Sequence, residues 1–240
     1  MDKYAQMEKN TVAAKKQLAD GKTVFFTNPH GRGIRVLFAG NSMTLHGVKD
    51  EIGWHHCWGM AASAKENDYV HRLMRSIRTI DEDAAFCICQ VADWECQYKA
   101  GSELLETFEP ARRFGADIII VRFIENCPKD DFAPDVFYSE LTKLLQYLDG
   151  TGRAAMILTT GFWRHPGDDS IRKLAREKGW PVVELGDLGE DERMKAVGLF
   201  WHKGVANHPG DEGMAHIAKR IFKALPLDRY PIFHSVSNAG

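Results

Sequence analysis

Five short stretches, at 34–39, 85–91, 117–123, 154–160 and 181–185, are rich in β-branched and other apolar residues and end in polar or glycine-containing segments. Their runs are nearly continuous instead of alternating, the pattern of strands covered on both faces, as in a parallel sheet flanked by helices. Helical patterns fill the gaps at 70–80, 102–114, 136–148 and 169–178. In the last helix Met214, Ile217, Ala218, Ile221, Phe222 and Leu225 form a stripe down one face, with Asp211 at the expected N-cap. Strand and helix alternate, which predicts a doubly wound α/β sheet. Residues 1–240 form one expected domain, with 1–20 as an N-terminal helical extension and 228–240 as a C-terminal surface tail.

Lys plus Arg number 31 against 33 Asp plus Glu, for a formal charge of −2, so no basic footprint for nucleic acid is expected. No apolar run approaches the ~18 residues of a membrane span, and the charged N-terminus lacks a signal peptide's apolar core, so the expectation is a cytoplasmic chain with no membrane partner. Five cysteines, three of them in or beside apolar stretches, read as reduced thiols that pack as small hydrophobes.

Ligands of doubly wound sheets bind at the carboxyl ends of the strands, so the residues that follow each strand carry the functional signal. After the first comes Ala39-Gly40-Asn41-Ser42. Ser42 can be a nucleophile or merely cap a turn. After the third comes Arg122-Phe123-Ile124-Glu125-Asn126. The Asn126 amide can donate to an oxyanion, or it can belong to a hydrogen-bonded loop with an Arg122–Glu125 pair. Before the final helix, the loop 201–210 presents His208, a residue type suited to general-base work on an alcohol.

Three loops that offer Ser, Asn and His in that order make the chain resemble the SGNH, or GDSL-type, hydrolases. The family's Gly-Asp-Ser block is similar to Gly40-Asn41-Ser42, its Gly-x-Asn-Asp block to 122–126, and its His-Pro block to His208-Pro209. The resemblance implies a flavodoxin-like three-layer α/β/α sandwich around a mostly parallel five-stranded sheet. It also implies nucleophile Ser42, base His208, and an oxyanion hole from the Ser42 N–H, Asn126 and a backbone N–H near Asp93. Val205 occupies the position where the family usually carries the Asp of the triad, so the expected acceptor for the His208 ring is a backbone carbonyl within 203–206. Glu125 and Glu95 are the other candidates.

Asn41, Trp54, Trp94, Glu95, Arg122, Glu125, Trp163, Trp201 and His202 are candidate substrate contacts, because aromatic faces beside hydrogen-bonding groups suit sugars. The tryptophans can equally be packing residues. The expected reaction is hydrolysis of a small acyl ester, an acetyl group on a sugar, with no cofactor and no metal. His46, His55, His56 and Cys57 include ligand types but lack a recognised metal spacing, and Gly31-Arg32-Gly33 precedes its strand instead of following it as a phosphate loop does. A lysophospholipase or thioesterase of the same fold is one alternative. An inactive carbohydrate-binding protein on this scaffold, motivated by Val205, is the other, and self-association is open to either.

Overall fold

The computed structural model describes residues 17–226, so most of the expected N-terminal extension and the tail at 228–240 lie outside the described residues. Six strands form one sheet in the order β1-β3-β2-β4-β5-β6. These are β1 (Val24–Thr27), β2 (Arg35–Gly40), β3 (Ala85–Gln90), β4 (Ile118–Arg122), β5 (Ala155–Thr159) and β6 (Val182–Val183). Strands β2 to β6 are parallel, and their order is that of a flavodoxin-like sheet with the switch at the central strand β2. Five strands were expected. The sixth, β1, pairs antiparallel with β3 at the edge. Its four residues have only partly buried side chains, with Phe26 44% exposed, so it lacks the continuous apolar run that marks the others.

Side chains alternate across the sheet. Val36 and Phe38 of β2 join the core beneath α1 (Tyr69–Arg78) and α8 (Asp211–Ala224), while Leu37 and Ala39 join the core on the opposite face. That second core is closed by α2 (Ala92–Cys96), α3 (Glu109–Phe114), α4 (Pro134–Leu148) and α5 (Asp168–Lys178). Because both faces of the strand are buried, its residues must be apolar at every position, which explains the unbroken run.

Other expectations shift in detail. The helix expected over 102–114 is a 3-10 stretch at Tyr98–Phe108 that passes into α3, which has Pro110 in its first turn. Asp211 is the first residue of α8 instead of its cap, and its carboxylate accepts from the Ser63 N–H at 2.8 Å. The short helices α6 (Gly186–Glu190) and α7 (Lys203–Ala206) lie between β6 and α8 in the chain. All five cysteines are free thiols. No helix among the described residues is long and apolar enough to cross a membrane.

Gly40 ends β2 at a point of close approach, where an added Cβ would lie 1.7 Å from Thr44 Oγ1 and 3.0 Å from the Arg122 carbonyl oxygen. Thr44 cannot easily yield, because its hydroxyl bonds the buried Tyr69 hydroxyl at 2.6 Å. Gly40→Ala should therefore cost about 1–3 kcal/mol of stability, read by urea denaturation. An unchanged midpoint would show that the turn after β2 yields freely.

Candidate active site

The turn that follows β2 is built on Asn41. Its Oδ1 accepts from Arg122 at 2.8 Å, and its Nδ2 donates to Glu125 at 2.7 Å and to Glu95 at 3.1 Å. The backbone N–H groups of Thr44 and Leu45 close on the Asn41 carbonyl at 2.8 and 3.0 Å, which folds the chain back sharply and lifts Ser42 off the strand end. The loop after β4 supplies the facing wall, as expected where strand order reverses.

Ser42 Oγ lies 2.9 Å from His208 Nε2, although 166 positions separate the two residues. His208 Nδ1 lies 2.7 Å from the Gly204 carbonyl oxygen. A carbonyl can only accept, so Nδ1 carries the proton and Nε2 presents a lone pair to the Ser42 hydroxyl. The ring thus has the tautomer and direction a general base requires. Val205 is wholly buried among Ile52, Trp54, Met60, Ala61 and Ala196, and the carbonyl one residue before it holds the imidazole instead. Neither Glu95 nor Glu125 bonds His208. Burial depresses the His208 pKa to about 4 against the Gly204 bond, with His46 and Arg122 lowering it further and Glu125 opposing them.

Asn126 stands on the opposite side of the turn. Its Nδ2 donates to Glu95 Oε2 at 2.8 Å, its backbone N–H donates to Glu95 Oε1 at 3.2 Å, and Gln17 Nε2 donates to its Oδ1 at 3.4 Å. At the end of β3, Gln90 Oε1 caps the Ala92 N–H at 2.8 Å. Among the described residues the N–H groups of Ser42 and Asp93 have no backbone or side-chain acceptor. They follow the paired positions Gly40 and Gln90 on adjacent strands.

Arg122, Asn41 and Glu95 are buried, and Glu125 is nearly so, and these four form a hydrogen-bonded network beneath the turn that carries Ser42. The Arg122–Glu125 ion pair expected for a loop does form. Glu125 also accepts from the Phe162 N–H at 2.8 Å, and Arg122 is foremost among the groups that hold its carboxyl below the usual range against the effect of burial. Glu95 has no such cation, and burial followed by repulsion from Glu125 pushes its pKa up to about 7.

The aromatic candidates divide. Trp163 packs edge-on against the His208 ring at 5.2 Å between centroids. Trp201 is 40% exposed beside His202, whose Nδ1 accepts the Val205 N–H at 3.3 Å and so caps α7. Trp94 is wholly buried against Phe123 and Phe137, and Trp54 against Trp58 and Phe200, so these two are packing residues and do not line the site. Among the described residues no three His, Cys, Asp or Glu side chains are grouped to hold a metal ion.

Three participants escaped the sequence reading: Gln17, Gln90 and His46 as a neighbour of His208; the Gly204 carbonyl lies within the 203–206 segment expected to hold the ring. His46 is buried and its Nδ1 donates to the Gly47 carbonyl at 2.6 Å, which leaves Nε2 with a lone pair and no partner among the described residues. The spacing Ser42 to His46 was the only available signal for any of them.

No protein-family model and no curated protein matches the sequence. Solved structures match in fold. A two-domain esterase active on acetylated mannans has a TM-score of 0.55 and 15% identity over 86% of this chain and 51% of its own. The psychrotrophic esterase EstA from Pseudoalteromonas sp. has a TM-score of 0.54 and 11% identity over 80% of this chain and 96% of its own. An acetyl xylan esterase has a TM-score of 0.50 and 16% identity over 80% of this chain and 100% of its own. The chain spans about half the length of the mannan esterase. The fold is that of the SGNH hydrolases.

A carboxylate at position 41, the residue type of the Gly-Asp-Ser block, would face both Glu95 and Glu125 and remove their shared donor. Asn41→Asp should therefore destabilise the protein by roughly 3–5 kcal/mol at pH 8 in urea, and less at pH 5 where the clustered carboxyls take up protons. Equal stability at both pH values would show that Asn41 is not the keystone of this network.

Proposed function

We propose that this chain is a serine esterase of the SGNH type that removes a small acyl group, acetyl, from a carbohydrate. One observation carries the reading: the Ser42 hydroxyl lies on the unprotonated nitrogen of an imidazole whose other nitrogen is held by a carbonyl. That arrangement lets Ser42 Oγ attack an ester carbonyl carbon while its proton passes to His208 Nε2. The carbonyl electrons move onto oxygen, where the Asn126 amide and the N–H groups of Ser42 and Asp93 are the donors. Collapse breaks the ester C–O bond, and His208 returns the proton to the departing alcohol. Water then attacks the acyl-serine with His208 as base, which releases the acid and restores Ser42.

The acyl group is argued from space. Ser42 is only 4% exposed, with Trp163 against His208 and Gln17 against Asn126, so the nucleophile sits in a confined site that suits a short acyl group. The carbohydrate is argued from Trp201, which offers an aromatic face outside the catalytic pair. The mannan and xylan specificities of two proteins with this fold support the same substrate class.

Release of p-nitrophenol from p-nitrophenyl acetate, and of acetate from acetylated manno- and xylo-oligosaccharides, tests the reading. Ser42→Ala and His208→Ala should each lower kcat by several powers of ten, with the double variant no worse than either single one, because the two act as a unit. A Ser42→Ala protein that kept more than about a tenth of wild-type activity would remove Ser42 as nucleophile. Asn126→Ala should lower kcat by roughly 100- to 1000-fold with KM little changed, since the oxyanion forms only after attack.

The pH profile follows from the depressed His208 pKa. The base works only when neutral, so kcat/KM should fall as pH drops through about 4, well below the 6.5 of an ordinary imidazole. A limb near 6.5 that persists in Glu95→Gln, with none near 4, would mean that His208 is solvated when it works.

A further inference from the structure

An amide that stabilises an oxyanion must present an N–H, but a carboxamide can swing about its last torsion and offer its oxygen instead. Something has to choose. We propose that Glu95 is the positioning residue of the oxyanion donor: it grips both the side chain and the main chain of Asn126 and ties them to the turn that carries Ser42. The proposal rests on the esterase reading for its consequence in catalysis, and on geometry alone for the positioning.

Glu95 lies on α2, with no solvent-exposed surface. Its Oε2 takes one N–H of the Asn126 amide and its Oε1 takes the Asn126 backbone N–H, so the carboxylate fixes the residue at two points. Because an ionised carboxylate only accepts, Asn126 must turn its nitrogen and not its oxygen toward Glu95, and the second N–H on that nitrogen stays free for substrate. Gln17 completes the clamp by donating to the Asn126 oxygen. Glu95 Oε1 also accepts from Asn41 Nδ2, one residue before the nucleophile. A single carboxylate thus sets the spacing between donor and nucleophile. It acts through Asn126, since its bonds go to Asn41 and Asn126 and none reaches Ser42 or His208.

The charged and titratable groups near Glu95 are Glu125 with its partner Arg122 on the β4 side, Cys127 after them, and Asp93 and Cys96 on α2 itself. Arg122 is already bonded to Glu125 and Asn41, so the three N–H donors are what stabilise the Glu95 charge. Protonation would turn one carboxyl oxygen into a donor facing N–H groups and loosen the grip. With the carboxyl pKa raised to about 7 by burial and by Glu125, that loosening falls near neutrality, far from the His208 limb.

Two measurements on the full chain test this. The first is p-nitrophenyl acetate kinetics from pH 4 to 9 on wild type, Glu95→Gln, Glu95→Asp, Asn126→Ala and Glu95→Gln/Asn126→Ala. Glu95→Gln should lower kcat roughly 10- to 100-fold with KM little changed, as a misplaced donor does. Adding Glu95→Gln to Asn126→Ala should cost nothing more, and the limb near pH 7 should vanish while the one near 4 stays. Glu95→Asp, which keeps the acceptor, should retain more activity than Glu95→Gln. Multiplicative losses in the double variant, or a Glu95→Gln enzyme within about twofold of wild type, would overturn the proposal.

The second measurement needs no turnover. The side-chain amide resonances of Asn126 in ¹⁵N-labelled wild type should shift with pH around neutrality, and Glu95→Asp should alter that titration. Asn126 resonances that are the same in wild type and Glu95→Asp at every pH from 5 to 9 overturn the positioning even if Glu95→Gln does not fold. An inactive wild type whose Asn126 resonances still titrate would sink the esterase reading and leave the positioning intact.

Discussion

A guanidinium buried out of reach of water is the constraint around which this site is organised. Arg122 ends β4 with no exposed surface, and an unpaired charge there would cost several kcal/mol. Its compensation comes from Glu125, three residues on, and from the Asn41 amide oxygen across the strand-order switch. The ion pair therefore does more than neutralise charge. It fixes which way the Asn41 amide faces, so that Asn41 Nδ2 points at two carboxylates and the turn carrying Ser42 is held against β4. Had position 41 been the aspartate of the Gly-Asp-Ser block, a third carboxylate would compete for one guanidinium.

The same dry interior shapes the Ser42–His208 pair. A triad carboxylate stabilises the imidazolium formed during attack, whereas the Gly204 carbonyl supplies orientation and a dipole but no full charge. His208 accordingly has a low proton affinity, which keeps it neutral over a wide pH range at the cost of basicity. Val205 fills the space of the missing acid with apolar surface, so α7 is packed into the cluster around Trp54 in place of being tied down by an ion pair. The backbone of α7, anchored by its own packing and by the His202 cap, is what aims the ring.

Much of this was legible in the chain itself. The unbroken apolar runs announce strands buried on both faces, and Val36 to Ala39 alternate between the two cores as such runs require. Gly40-Asn41-Ser42 and His208-Pro209 mark the strand-end turn and the loop before the last helix, and a backbone acceptor for His208 follows from having Val at 205. Strand β1 was not legible, because an edge strand needs only half-buried residues and leaves a weak pattern. For Trp54 and Trp94 the choice between cleft and packing stayed open, because sequence shows aromatic supply and not the direction a ring faces.

What the sequence determined alone is whatever rests on local chemistry: period, turn-forming residues, and the types able to act as nucleophile, base and amide donor. Only the tertiary structure decided how these are coupled. Ser42 and His208 lie 166 positions apart, Asn41 and Glu95 lie 54 apart, and a backbone carbonyl such as that of Gly204 has no side-chain signature to read. The charge state of each buried group likewise depends on which neighbours the fold brings within hydrogen-bond reach. Arg122 reaches Glu125 and Asn41, and Glu95 is left to amide donors alone, because burial strengthens every interaction and penalises every group without one.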